Sequence, residues 1–146
     1  MTKLLIVYDS QTGNTEKMAE AVTEGARSVP GVDVELKYYA RPEELADADG
    51  IVLGSPTYYH EITLPIKQVM EEAAKAGVKL QGKVGAAFGS YGWSGEATEQ
   101  VLEILKNRFG MEVMKPAVTA LYEPNPAKLE ECRRLGKAVA EKIAGK

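Results

Sequence analysis

The chain has little of what marks secreted or membrane proteins. Its single cysteine, Cys132, cannot form an internal disulfide bond, and its place on an apolar helical face predicts a core residue. No apolar run approaches the length that spans a bilayer. The first residues lead straight into a strand pattern without a signal peptide. We therefore expect a cytoplasmic protein with no membrane association.

An excess of charge of one sign is also absent. The chain has 18 Lys and Arg against 21 Asp and Glu, a net charge of −3. This balance argues against nucleic acid and anionic membranes as main partners. The sequence shows no evident nucleophile, metal-ligand cluster or acid–base pair of carboxylates. A bound cofactor would therefore have to supply any redox chemistry.

What is present is a regular alternation of short apolar runs and helical patterns. With 146 residues, 45% of them hydrophobic, the chain has room for one domain with a full core, which we expect to span residues 1–146. The alternation predicts an α/β three-layer sandwich with a five-stranded parallel sheet covered by helices on both faces. Strands are expected at 3–8, 32–38, 50–54, 83–89 and 112–121, the last with an irregularity at Pro116. Helices are expected at 15–28, 63–76, 95–109 and from 126 onward, the last capped by Asn125. A short helical turn within 40–48 stays open.

The segment between the first strand and the first helix is the most informative one. It gathers backbone N–H groups and the positive end of a helix dipole, which together suit a phosphate group. It contains no Lys or Arg, so a phosphate dianion would be held there without a cationic partner. Asp9 is expected to cap the loop. The expected phosphate-binding residues are Ser10, Gln11, Thr12, Gly13, Asn14 and Thr15.

Two familiar phosphate-binding loops do not match this segment. There is no Gly-x-x-x-x-Gly-Lys-Ser/Thr pattern, which argues against a nucleoside triphosphate. There is also no Gly-x-Gly-x-x-Gly pattern, and the second strand ends in Lys37, Tyr38 and Tyr39 where a dinucleotide fold has an acidic residue for the ribose. The remaining candidate is a mononucleotide such as FMN.

Two aromatic loops are expected beside this segment, because ligands of parallel α/β sheets bind beyond the carboxyl ends of the strands. They read SPTYYHE after the third strand and SYGWSGE after the fourth, and they hold the only Trp and three of the seven Tyr. Large aromatics on loops at this edge predict a flat ring held between them. The expected ring-binding residues are Ser55, Pro56, Thr57, Tyr58, Tyr59, His60, Ser90, Tyr91, Gly92, Trp93 and Gly95.

Some roles within these loops stay open from sequence. Either Trp93 or Tyr91 is expected to cover a face of the ring, with Trp93 preferred. His60 is either near the ring edge or a solvated loop residue. Glu96 is expected at the start of a helix, where the dipole favours a carboxylate.

Together the three segments Ser-x-Thr-Gly-Asn-Thr, Gly-Ser-Pro-Thr-Tyr and Gly-Ser-Tyr-Gly-Trp-Ser-Gly resemble those of flavodoxins. More narrowly, they resemble the flavodoxin domain of flavodiiron proteins, also called A-type flavoproteins. The resemblance covers essentially the whole chain, which is too short to carry a diiron domain as well. It implies the strand order 2-1-3-4-5, FMN as the cofactor, and a free-standing, monomeric short-chain flavodoxin.

A phosphate dianion held without a cationic partner opposes the negative charge of a reduced flavin, so we expect a low-potential carrier that shuttles single electrons between redox protein partners. The alternative on the same fold is an FMN-dependent NAD(P)H:quinone or small-molecule reductase. One departure concerns the second loop, where many flavodoxins have a glycine whose peptide reorients when the flavin is reduced. This chain has no glycine from Tyr58 to Glu61, so we expect that movement to be sterically harder.

Overall fold

The computed structural model describes residues 2–145, so both predicted domain bounds, residues 1 and 146, lie outside the described part. In chain order the elements are β1 (Thr2–Tyr8), α1 (Asn14–Arg27), β2 (Val32–Lys37), α2 (Pro42–Asp47), β3 (Gly50–Gly54), β4 (Thr57–Tyr58), β5 (Glu61–Ile62), α3 (Leu64–Lys75), β6 (Val84–Tyr91), α4 (Glu96–Asn107), β7 (Glu112–Val113), β8 (Val118–Leu121) and α5 (Pro126–Ala144).

The apolar runs of the sequence form the centre of one sheet. β1 pairs in parallel with β2 on one side and β3 on the other, β3 pairs with β6, and β6 pairs with β7 and β8. Ile51, Val52 and Leu53 of β3 are almost completely buried, as a strand covered on both faces requires. The predicted α/β fold is confirmed. The strand order also follows the prediction when β7 and β8 are counted together.

Helices cover both faces of the sheet. Leu4 and Ile6 of β1 pack into one hydrophobic cluster with α1 and α5, whereas Leu5 and Val7 pack into a second cluster with α3 and α4. Cys132 is buried in the first cluster as predicted, and this burial raises the pKa of its thiol to about 12. Within residues 2–145, no helix has both the length and the apolar character needed to cross a lipid bilayer.

The two helices of the first cluster touch at their backbones. A Cβ atom placed on Gly25 of α1 would lie 1.9 Å from the carbonyl oxygen of Arg133 in α5. One placed on Gly136 of α5 would lie 1.9 Å from the carbonyl oxygen of Val22 in α1. Only glycine allows this approach, so α1 and α5 are locked together as one layer.

The predicted fifth strand, residues 112–121, is wrong as a continuous strand. β7 pairs Glu112 with Val84, whereas β8 pairs Val118 with Phe88. Between these two pairs the fifth segment advances from residue 112 to 118, but β6 advances only from 84 to 88, so the segment contains extra residues that do not pair with β6. Pro116 lies in this interval and has no N–H group to donate to the ladder. The proline therefore divides the strand.

Two further elements complete the description of the fold. The open question over residues 40–48 is answered by α2, which begins at Pro42. The antiparallel hairpin of β4 and β5 has no counterpart in the sequence prediction. At the other end of the chain, Asn125 accepts a hydrogen bond from the Lys128 N–H at 2.8 Å and caps α5 as expected.

Candidate cofactor site

Three loops leave the carboxyl-terminal edge of the sheet side by side: the first loop after β1, the second after β3 and the third after β6. Parallel pairing places Tyr8 opposite Gly54, and Gly54 opposite Phe88. Two backbone hydrogen bonds continue the ladder beyond the strands: the Asp9 N–H donates to Gly54 at 3.0 Å, and the Ser55 N–H donates to Phe88 at 3.1 Å. The sheet therefore brings the three predicted segments together.

The first loop has the shape of an anion-binding turn. Gly13 immediately precedes α1 with φ +91°, a left-handed conformation that glycine adopts at low cost. The Ser10 hydroxyl accepts hydrogen bonds from the N–H groups of Gly13 at 3.1 Å and Glu16 at 3.2 Å. Gln11 and Thr12 are exposed. The loop is thus fixed by Ser10 from within and presents its tip and the start of α1 to an incoming group.

Thr15 and Ser90 join the first loop to the third. Their hydroxyl oxygens lie 2.8 Å apart, and both residues are buried. The hydroxyl of Thr15, predicted to bind phosphate, therefore also spans the two loops from inside the protein.

The second loop is anchored by buried hydroxyls. Ser55 Oγ donates to the carbonyl of Pro56 at 2.8 Å and accepts from the Thr63 N–H at 3.1 Å. Thr57 Oγ1 accepts from the Ala97 N–H at 3.1 Å, within the first turn of α4. Ser55 and Pro56 are buried, so they support the loop from below. Thr57 holds the second loop against the third.

The tip of the second loop is a tight hairpin without glycine. Tyr59 and His60 lie between β4 and β5 with φ of +51° and +65°. Left-handed conformations at both central positions are those of a type I′ hairpin turn, for which Asn and Gly are usual. Tyr59 is 94% exposed, so no packing of its own side chain accounts for this conformation.

Between the second and third loops lies a cleft of about 520 Å³ with aromatic walls. Trp93 stands on one side with 87% of its surface exposed, and its ring centre is 5.6 Å from that of His60. The lining residues are Thr57, Tyr58, Tyr59, His60, Gly92, Trp93, Ser94 and Tyr122. Exposed aromatic walls at this edge suit a flat ring that enters between them.

Sequence reasoning missed Tyr122 as a cleft residue. Its N–H donates to the Tyr91 carbonyl at 2.6 Å, which brings it to the third loop. A Cβ atom at Gly92 would lie 3.1 Å from the Tyr122 ring, so the close approach of these two residues depends on the glycine. The available signal was an aromatic residue directly after the last strand, at the edge where the other loops meet.

The electrostatics of the site are dominated by carboxylates. Hydrogen bonds from Ser94, from its own backbone N–H and from His60 hold the pKa of Glu96 at about 2. Glu96 begins α4, as expected for a helix-start carboxylate. Burial, together with the negative charge of Asp9, raises the pKa of Tyr58. The cation nearest in sequence to the first loop, Lys17, is paired with Glu123 at 3.0 Å.

A phosphate-bearing cofactor with a flat ring fits these residues. The first loop supplies N–H groups and hydroxyls, and the aromatic cleft supplies flat apolar walls. Asp9 Oδ2 is a buried acceptor with no hydrogen-bond partner among residues 2–145. A buried acceptor of this kind needs a hydrogen-bond donor. A cofactor whose phosphate is joined to its ring by a chain with hydroxyl groups offers several such donors.

The fold and the site define a doubly wound α/β protein with a mononucleotide cofactor site at the edge of its sheet. The sequence model described as Flavodoxin matches residues 6–136. The chain belongs to the flavodoxin family, and the predictions of flavodoxin membership and of FMN as cofactor are confirmed. The roles of the individual site residues stay predictions.

Several relatives show how far the similarity extends. A flavodoxin from Aquifex aeolicus is 37% identical over 99% of this chain and 88% of its own length. A type A flavoprotein from Rhodobacter capsulatus is 36% identical over 98% of this chain, which spans only 34% of that larger protein. Among solved structures, a flavodoxin from the domain Archaea is 43% identical, with a TM-score of 0.90, over 98% of this chain and 99% of that one.

Proposed function

We propose that the protein is a low-potential FMN electron carrier that passes single electrons between redox enzymes. The observation that carries this proposal is the exposure of the cleft. Tyr59 and Trp93 form its outer walls and lie 94% and 87% in solvent. The edge of a ring held between them reaches the surface, where electrons can pass to a docked partner without a substrate entering the protein.

The charge around the site supports a low potential. The first loop has no Lys or Arg, and Glu96 adds a carboxylate that stays ionised because its pKa is held at about 2. Reduction adds negative charge to the ring. At ~10 Å and an effective dielectric constant of ~20, each unit of charge on a phosphate held in the first loop disfavours that step by roughly 1.7 kcal/mol. For a one-electron couple this is on the order of 70 mV.

FMN supplies the electron-transfer chemistry when bound, and the residues of this chain bind and orient it. We infer that the first loop holds the phosphate through its N–H groups and the hydroxyls of Ser10 and Thr12. The aromatic walls of Tyr58 and Trp93 would cover the faces of the ring and shield those faces from water, while its edge stays accessible. An apolar, stacked environment favours the neutral ring over its anion, which lowers the potential further.

Flavodoxins work with redox partners, and the surface around the cleft is the region such partners would contact. Carboxylates of Glu61, Glu96 and Glu99 lie on this side of the molecule, all on exposed residues. Their charge favours partners with a basic patch around their own redox centre.

A redox titration of the FMN-loaded protein tests the proposal. We expect a yellow protein that releases FMN on denaturation and whose most negative couple lies below that of free FMN. Isothermal calorimetry with the refolded apoprotein should show tight uptake of FMN. A lowest couple at or above that of free FMN would contradict the carrier proposal. Fast NADH:quinone turnover would favour the reductase alternative.

A further inference from the structure

His60, the one histidine of the chain, connects the second and third loops. Its Nδ1 lies 2.7 Å from Glu96 Oε2 and 3.0 Å from Ser94 Oγ. Its ring packs beside Trp93, and its carbonyl accepts a hydrogen bond from Gln100 Nε2 at 3.1 Å. One residue at the tip of the hairpin thus contacts a wall of the cleft and the first turns of α4 at once.

These contacts hold a disfavoured backbone conformation. Both Tyr59 and His60 lie in the left-handed region, which residues with side chains adopt at a cost and keep only where their surroundings impose it. The pairing of Tyr58 with Glu61 closes the turn, and because Tyr59 is almost wholly in solvent, the side-chain contacts at its tip are those of His60. The shape of this side of the cleft therefore depends on the bonds of His60.

One carboxylate contacts His60, and two others lie close to it in the chain or on the same helix. Glu96 faces it from α4, with Glu99 one turn further along the same helix, and Glu61 follows it in the chain. Glu61 forms an ion pair with Lys67 of α3 at 3.0 Å, which leaves Glu96 as the carboxylate in contact with the imidazole. A proton on His60 would turn the 2.7 Å contact into a charge-assisted hydrogen bond, the stronger kind.

We propose that His60 is a positioning residue that takes up a proton when the cofactor is reduced, and that its protonated ring, bound to Glu96, keeps the hairpin tip and Trp93 in place beside the cleft. The proposal rests on the FMN site inferred above. Reduction of bound FMN would add negative charge to the cleft that His60 borders. One proton from solvent adds to the imidazole and offsets part of that charge. No bond to the cofactor forms or breaks in this step.

The expected consequence is that a side chain of the protein, and not the cofactor alone, makes the reduction potential depend on pH. If the imidazole binds its proton more tightly in the reduced protein, reduction is favoured at low pH. The potential then falls as pH rises between the titration midpoints of the imidazole in the two redox states. This contribution adds to that of the cofactor's own protons, so it is measured as the difference between the protein and a His60 variant.

The single histidine makes a direct test possible. NMR titration of the FMN-loaded protein should show one set of imidazole signals, with a titration midpoint about one pH unit higher in the reduced than in the oxidised state. A unit charge added at ~10 Å changes proton affinity by about tenfold. Glu96→Gln should lower both midpoints, whereas Glu99→Gln, the same charge change one turn away, should have a much smaller effect. Equal midpoints in the two redox states would overturn the proposal.

Potentials measured against pH provide the second test. His60→Asn removes the titrating group and keeps a side chain that tolerates the left-handed conformation. In the unmodified protein the imidazole should contribute a total change in potential of about 59 mV for a one-electron couple, which corresponds to a tenfold change in proton affinity. We expect this contribution to be absent from the plot of potential against pH for His60→Asn. Glu96→Gln should move this change in potential to lower pH, because both of its midpoints are lower, and Glu99→Gln should leave it in place. Parallel curves for His60→Asn and the unmodified protein would overturn the proposal.

The two tests separate this inference from the function on which it rests. A protein that takes up no FMN would overturn both. A low-potential FMN carrier with the same pH dependence in the presence and absence of His60 would overturn the inference alone. If His60→Asn failed to retain FMN, the NMR comparison of Glu96→Gln with Glu99→Gln would still decide it.

Discussion

The first loop and the hairpin tip lie at the same edge of the sheet but are held in opposite ways. The first loop reaches a left-handed backbone with glycine, at Gly13, and is fixed from inside by Ser10 and by the buried contact of Thr15 with Ser90. The hairpin tip reaches the same kind of backbone without glycine and is fixed from outside, by exposed polar side chains on α4. The first arrangement is independent of pH and suits permanent binding, whereas the second can respond to charge.

Gly13→Val would break the first loop and gives the largest expected effect. A β-branched residue at φ +91° imposes strain of about 1–3 kcal/mol and distorts the N–H groups at the start of α1. We expect the Kd for FMN to rise about tenfold to hundredfold, with a smaller change for riboflavin, which lacks the phosphate. Calorimetry with both ligands measures this difference.

Gly31→Val is the matched control for that variant. Gly31 also has a positive φ, +81°, and neither glycine has an atom within 4 Å of a built Cβ. Gly31 lies outside the three loops, so its variant should lose comparable stability and keep its affinity for FMN. Equal losses of FMN affinity in the two variants would show that general destabilisation, and not the anion site, is responsible.

Thr15→Val removes the buried hydroxyl pair between the first and third loops. It leaves the Ser90 hydroxyl without its partner in the interior, at an expected cost of about 1–3 kcal/mol in the free energy of unfolding. Thr23→Val is the control, because the buried Thr23 hydroxyl only donates to the Ala19 carbonyl of its own helix at 2.8 Å. In urea unfolding, the free energy of unfolding of Thr15→Val should be well below that of Thr23→Val. Equal free energies would contradict the proposed link between the loops.

Tyr59→Gly would make the hairpin tip resemble the first loop. Glycine relieves the left-handed strain at φ +51°, and the replaced side chain is almost fully exposed. We expect the free energy of unfolding to stay equal or rise by at most about 1 kcal/mol. FMN affinity should fall because one wall of the cleft is lost. A clear loss of stability in denaturant unfolding would show that Tyr59 does not carry strain.

The smallest expected effect is the acid response of the exposed tip. Because the pKa of Glu96 is depressed to about 2 in the folded protein, its contribution to stability is present above the ordinary carboxyl pKa and lost as pH falls toward 2. The stability difference between the unmodified protein and Glu96→Gln should therefore shrink as pH falls below ~5. Glu99→Gln should show a weaker trend in the same acid unfolding series. A difference independent of pH would argue against the hydrogen bonds assigned to Glu96.

The local sequence was sufficient to predict a structural element wherever one physical factor dominated. The apolar run of β3 could only be a buried central strand, and the loop from Ser10 to Thr15 could only join a strand to a helix. It was insufficient where distant contacts decided the outcome. The hairpin of β4 and β5 lacks the Asn-Gly signal of its turn type and depends on α4 for support. Pro116 indicated an irregularity in the fifth strand, but the division into two short strands became visible only in the register with β6.

The same limit applied within the site. The three loops could be placed from their composition and the rule for parallel sheets, and so could the aromatic character of the cleft. Tyr122 was missed because its place depends on the end of β8 and the backbone of Tyr91. The role of Asp9 as a buried acceptor could not be foreseen, because burial at a loop depends on how its neighbours pack.

The glycine contact between α1 and α5 has a consequence for how the protein is made. The helix that presents the anion-binding turn is seated directly on the final helix of the described chain, backbone against backbone at Gly25 and Gly136. The ribosome makes α5 after every other element described above, so α1 lacks its support until α5 has emerged. Acquisition of the nucleotide therefore has to wait for α5, a helix none of whose described residues lines the cleft.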